Sequence, residues 1–150
     1  MTIALDPEKV RVLAKQLDDA LEKKDIEEVV AYFSTACEIR LPGRTLTGHR
    51  GLRKAIDWMY SFLKEIRLVP VTILIKDDTF FEEFTVRSRI DERDVELNQA
   101  EVLVYDEQYR VKSLRLYFDR LELAEHLPAN FIDRMLVRRV GKESLKGLDD

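Results

Sequence analysis

Glu82, Gln99 and Glu101 stand where an alternating pattern calls for apolar side chains. Every second residue from 80 to 90 reads Phe80, Glu82, Phe84, Val86, Ser88, Ile90. From 95 to 105 the series is Val95, Leu97, Gln99, Glu101, Leu103, Tyr105. Period two marks a strand with one face turned inward. A lone carboxylate on such a face costs several kcal/mol unless it is paired or neutralised. Burial against Phe84 and Leu114 raises a carboxyl's pKa, so that it can hold and hand over a proton near neutral pH. Glu101 is the expected proton shuttle, with Glu82 as a second carboxyl. Glu82 and Gln99 would orient a ligand or water. Two blander readings fit the same pattern: a bulge that turns these groups outward, or a polar ring at a solvated mouth.

Register decides which groups meet. Two-residue connections at Asp77-Asp78, Glu92-Arg93 and Glu107-Gln108 predict an antiparallel meander of strands at about 68–76, 79–91, 94–105 and 110–118. Ile75 then pairs with Phe80, Ile90 with Val95 and Tyr105 with Arg110. Glu101 falls opposite Phe84, with Glu82 diagonal to it. Val69, Val71, Ile73 and Ile75 join the core face, followed on the last strand by Leu114, Leu116 and Phe118. Thr72, Leu74, Phe81, Thr85, Arg87, Arg89, Asn98, Arg115 and Tyr117 form a mixed outer face, read as a dimer surface.

Helices precede the meander. Asp6-Pro7-Glu8 is a helix start, with Val10, Leu13, Ala14, Leu17, Ala20 and Leu21 as one stripe. Asp25 caps a short second helix that turns Ile26, Val29, Val30 and Phe33 inward. Cys37–Leu41 alternates as a strand and stops at Pro42-Gly43. Thr47–Gly51 opens a third helix with Leu52, Ala55, Ile56, Met59, Tyr60 and Leu63 on one face. In "LRLYFDRLEL" (114–123) a strand ends on an aromatic pair and Asp119 caps the helix that follows, at about 120–127. After a break at Pro128 a last helix runs over about 129–140, with Gly141 as its C-cap.

At 150 residues, with 45% apolar and 36% charged residues, the chain suits one domain, with a core at about 6–125 and a helical extension at about 126–150. A net charge of -4 without a basic block argues against nucleic acid as partner. The single cysteine, Cys37, rules out an internal disulfide and a multi-cysteine zinc site, and reads as core. The N-terminus lacks the features of a secretory signal, and the apolar run Leu68–Ile75 is too short to span a bilayer. The expected protein is cytoplasmic, without membrane contact, metal or cofactor. His49, in a glycine-flanked helix start, reads either as a solvated residue or as a site group that titrates near neutral pH. Trp58 reads equally as core or pocket wall. Glu38 and Arg40 form a surface pair.

The order of two helices, a strand, a third helix and a four-strand meander resembles the nuclear transport factor 2-like fold. More narrowly, it resembles the SnoaL-like group, which includes polyketide cyclases, limonene epoxide hydrolase and ketosteroid isomerase. The carriers are "DIEEVVAYFSTACEIRLPG" (25–43), "LTGHRGLRKAIDWMYSF" (46–62) and "VYDEQYRVKSLRLYFDRLEL" (104–123). The resemblance implies an α+β cone, a curved antiparallel sheet around the N-terminal helices, with a small-molecule pocket and a homodimer. It also implies catalytic acids that this chain lacks. Leu116 stands where the epoxide hydrolases place an acid before their Tyr-Phe-Asp phrase. Leu41 stands where the isomerases place their base. Arg89-Ile90-Asp91 resembles the hydrolases' Arg-x-Asp, yet lies on the face opposite Leu116. Glu38 and Arg40 do not match those enzymes' water-positioning Tyr and Asn.

The expectation is therefore a small apolar ligand in the cone, with isomerase-, cyclase- or hydratase-type acid–base chemistry at Glu101 and Glu82. Gln99, Trp58, Phe84, Leu116, His49 and Tyr105 would bind the ligand. The rival is a binding or dimerisation module that has lost the family's acids. A cavity of about 300 Å³ or more would favour a small-molecule site. A cone packed shut by Phe84, Leu114 and Leu116 would favour a scaffold.

Overall fold

Asp6 accepts a hydrogen bond from the Glu8 amide at 3.0 Å and starts α1 (Pro7–Lys23), as its sequence predicts. In this computed structural model, which describes residues 2–127 and 130–148, Asp25 caps α2 (Ile26–Ala31) in the same way. Then come β1 (Phe33–Leu41), β2 (Arg44–Thr47), α3 (Gly48–Phe62), β3 (Lys64–Lys76), β4 (Thr79–Ile90), β5 (Arg93–Tyr105) and β6 (Val111–Phe118). Asp119 accepts from the Leu121 and Glu122 amides and opens α4 (Arg120–His126), and α5 (Phe131–Ser144) closes the chain.

The six strands form one curved sheet in the order β2-β1-β6-β5-β4-β3. All neighbours are antiparallel except β1 and β6. The concave face packs on α1, α2 and α3. Val10, Ala14, Leu17, Val29, Ile39, Leu52, Ile56, Phe80 and Leu103 make one buried cluster. Leu63, Ile66, Phe84, Val86, Ile90, Leu97 and Leu123 make a second. Cys37 is fully buried in the first, and Glu38 and Arg40 pair at 2.5 Å on the surface.

Several expectations need correction. β1 begins at Phe33, so Phe33 belongs to a strand rather than to the second helix. β2 was not expected. Pro42-Gly43 turns the chain back, and Leu41 pairs with Arg44. Gly43 sits at φ +83°, a backbone conformation that favours glycine. In β3, bulges between Lys64 and Arg67 and between Pro70 and Thr72 change the inward set. Leu68 faces inward opposite Val86, while Pro70, opposite Phe84, and Val71 are exposed and Val69 lies across from Thr85. The last helix runs through Gly141, so this glycine is no C-cap. The expected break at Pro128 lies outside the described residues.

The β4–β5 register differs from the expected one. Ile75 does pair with Phe80, but Ile90 pairs with Arg93, and Val95 pairs with Ser88. The loop is Asp91-Glu92, at φ +52° and +66°, the two positive values of a type I′ hairpin. This turn keeps every inward residue inward but slides the partners by two. Tyr105 pairs with Val111 rather than Arg110, after a bulge, because Asp106 folds a longer loop by accepting from the Gln108 and Arg110 amides.

A glycine suits φ +66° better than glutamate does. Glu92→Gly is expected to raise the melting temperature by about 1–3 °C. An unchanged or lower value in a thermal melt would contradict that view of the turn.

Candidate functional site

The corrected register places Glu82 directly opposite Glu101. Phe84 faces Gln99 instead. β4 alternates cleanly between buried and accessible residues from Phe80 to Ile90, so no bulge turns Glu82 outward. It is 3% exposed. Glu101 is half-buried and lines an internal cavity between the sheet and the helices.

A third carboxyl completes the group. Asp18 projects from α1, and one carboxylate oxygen each from Asp18, Glu82 and Glu101 lie within 4.8 Å of one another. Asp18 was not among the sequence candidates. It lies four residues after Ala14 and three before Leu21, so it occupies a position of the apolar stripe. An acid at a helical core position is the same signal that singled out Glu82 and Glu101, with a period of 3.6 instead of 2.

Among the described residues no cation enters the cluster. Lys15 acts on it from outside, while bonded to Asp19 on the helix surface. Burial therefore dominates. It raises Asp18 to about 8, helped by the negative charge of Glu82. It raises Glu82 to about 6. It holds Glu101 well above the usual carboxylate range, reinforced by Asp18 and Glu82. Three carboxyls this close titrate as a unit. Near pH 7 the cluster holds protonated and ionised carboxyls side by side. It can thus offer an acid and a base to one ligand. Tyr105 is buried below, its O–H without a hydrogen-bond partner, and its pKa is raised by burial and by Glu101.

The cavity encloses ≈ 120 Å³. That is less than the roughly 300 Å³ at which typical ligand pockets begin, yet the cone is not packed shut. Phe84, Leu114 and Leu116 line the space rather than fill it. An apolar cavity of about 150 Å³ accommodates benzene. At ≈ 120 Å³ this cavity is somewhat smaller, the size of a short chain or part of a larger molecule. Asp18, Gln99 and Glu101 are its polar wall, and Leu41 and Trp58 lie toward its edge. Trp58 is 43% exposed and stacks on Phe118 at 6.4 Å, so it is wall rather than core.

Three sequence candidates stand elsewhere. Glu82 lies behind Glu101 and Asp18 and does not line the cavity. His49 bonds through Nε2 to the Phe33 carbonyl at 3.0 Å and stays outside the lining, as does Tyr105. Arg89 pairs with Asp94 on the outer face, and Asp91 sits in the turn, so neither reaches the cavity. No helix among the described residues is long and apolar enough to cross a membrane.

A nuclear transport factor 2-like protein of unknown function from Burkholderia pseudomallei superposes with a TM-score of 0.73 at 18% identity, covering 80% of this chain and 98% of its own. A protein described as a SnoaL-like polyketide cyclase from Shewanella denitrificans gives 0.70 at 12% identity, covering 81% and 97%. An epoxide hydrolase/cyclase-like enzyme of pyran ring formation in the polyether salinomycin gives 0.68 at 13%, covering 77% and 94%. These likenesses show the fold. No curated protein matches the chain. The SnoaL-like domain family matches residues 14–112, which run from within α1 to the first two residues of β6 and contain all three carboxyls, and the chain belongs to that family.

Proposed function

We propose that the cone binds a small, mainly apolar ligand and catalyses proton transfer on it, as an isomerase or cyclase does. The carrying observation is the cluster of Asp18, Glu82 and Glu101, of which Asp18 and Glu101 stand on the wall of a mainly apolar cavity and Glu82 lies behind them. A folded protein gains no stability from three unpaired buried carboxyls, so their enclosure calls for a use. In this reading Glu101 donates a proton to a ligand oxygen, and Asp18, the other carboxyl on the wall, takes one from carbon after passing its own proton to ionised Glu82 behind it. Glu82, behind the wall, exchanges protons with Glu101, and Gln99 orients the ligand. The salinomycin enzyme's ring-forming chemistry is consistent with this class. The outer sheet face, with Leu74 and Tyr117 exposed, would be the dimer surface.

The rival, a binding module without chemistry, is favoured only by Leu41 and Leu116. A test needs no known substrate. Small cyclic ketones in D₂O exchange their α-protons when an acid and a base act together. Exchange above the buffer rate is expected. Its pH profile should be bell-shaped, rising near the Glu82 value of about 6 and falling near the Asp18 value of about 8. Bound ketone with exchange at the buffer rate would leave the binding module as the function.

A further inference from the structure

A second concavity of ≈ 790 Å³ lies against the cone. Leu41, Ala55, Trp58, Phe118 and Leu123 line both spaces and form the partition between them. Stacked Trp58 and Phe118, with Phe62 edge-on to Trp58 at 4.9 Å, make that partition aromatic. Three cations line the outer space: Arg44 from β2, Lys54 from α3 and Arg120 from α4. No carboxylate lines it, and among the described residues none forms an ion pair with these three. Arg120 lies over the Gly43 turn: a Cβ there would sit 2.8 Å from its Nη1. The turn's glycine thus makes room for the guanidinium.

The chain carries net charge -4, yet this mouth gathers cations alone. The opposite end of the path is the carboxyl cluster. Polarity therefore runs from a cationic mouth, past an aromatic partition and an apolar wall, to an acidic floor. Such a gradient orients a ligand. An anionic head is repelled by the floor and attracted at the mouth, where two guanidinium forks suit a carboxylate.

We propose that the outer space binds the carboxylate head of an amphiphilic ligand whose apolar body passes Trp58 and Phe118 into the cone. This deepens the function proposed above and rests on the cone being the ligand site. It also accounts for the small cavity, which need hold only the far end of the molecule.

Trp58 is the chain's single tryptophan, so its fluorescence reports on the partition alone. Octanoate and 1-octanol share a chain and differ in the head. Titration at pH 7 and low salt is expected to show octanoate bound about tenfold more tightly, since several exposed ion pairs contribute modestly each. The advantage should shrink in high salt. It should vanish in the triple variant Arg44→Gln, Lys54→Gln, Arg120→Gln, with octanol binding unchanged. All three are surface residues, so the variant is expected to fold. Equal affinities in the parent, or an octanoate preference that survives the triple variant, would overturn the carboxylate site and leave the cone reading intact. Failure of both ligands to bind would overturn the cone as their site, and this proposal with it.

Discussion

Asp18→Asn is expected to raise the melting temperature by roughly 5–10 °C at pH 8 and to leave it nearly unchanged at pH 4. The sign follows from proton counting. In the unfolded chain Asp18 ionises near its ordinary value of 3.8. In the folded protein burial and Glu82 lift it to about 8. Between these values the folded state holds a proton that the unfolded state has released, so stability falls as pH climbs through the window. Below about pH 4 both states are protonated and the penalty disappears. Above about 8 it is present in full. Relaxation and proton sharing within the cluster leave on the order of 2–3 kcal/mol. Asparagine cannot ionise, so it removes the pH-dependent part while keeping the shape. Melts of parent and variant from pH 4 to 9 check this. A variant curve parallel to the parent's would show that Asp18 is not held protonated by the fold. The parent should lose stability toward alkaline pH, the reverse of a protein whose acids are salt-bridged.

How much of this could be read from the sequence depended on the kind of signal. The inward positions of β4 and β5 follow from period two, and the turn correction moved residues by an even number. Glu82, Gln99 and Glu101 therefore stayed on the concave face although their partners changed. The partner of Glu101 was not legible, because it depends on whether the hairpin turns at Asp91-Glu92 or one residue later. Neither residue is a turn-former strong enough to decide, and only their positive φ values do so. Val69 and Val71 misled because bulges leave no mark in an alternating apolar run. β2 was missed because four residues next to a proline-glycine turn carry too little pattern. Asp18 was legible, but only to a reading that asks of helices what was asked of strands. The vestibule was not legible at all. Arg44, Lys54 and Arg120 are far apart in the chain, and only tertiary packing gathers them.

Glu101→Gln is expected to lower ketone exchange by about a hundredfold or more while raising the melting temperature at pH 8. Both halves come from one fact. Glu101 is held well above the usual carboxylate range, by burial first and then by Asp18 and Glu82. Glutamine copies the shape of that form, so the fold loses little packing and sheds the cost of a proton that alkaline solution would remove. Glutamine cannot donate the proton to a ligand oxygen, so the acid half of the reaction is lost. Opposite movements of stability and rate mark a group kept for chemistry at the expense of the fold. A residue that merely packs would lower both together, and a neutral bystander would change neither. Glu82→Gln separates the remaining cases. It should also stabilise at alkaline pH, but it does not touch the cavity, so its effect on exchange should appear as loss of the lower limb near pH 6 rather than loss of the reaction. If Glu82→Gln abolishes exchange and Glu101→Gln spares it, the order of the two carboxyls along the proton path is the reverse of the one their placement implies.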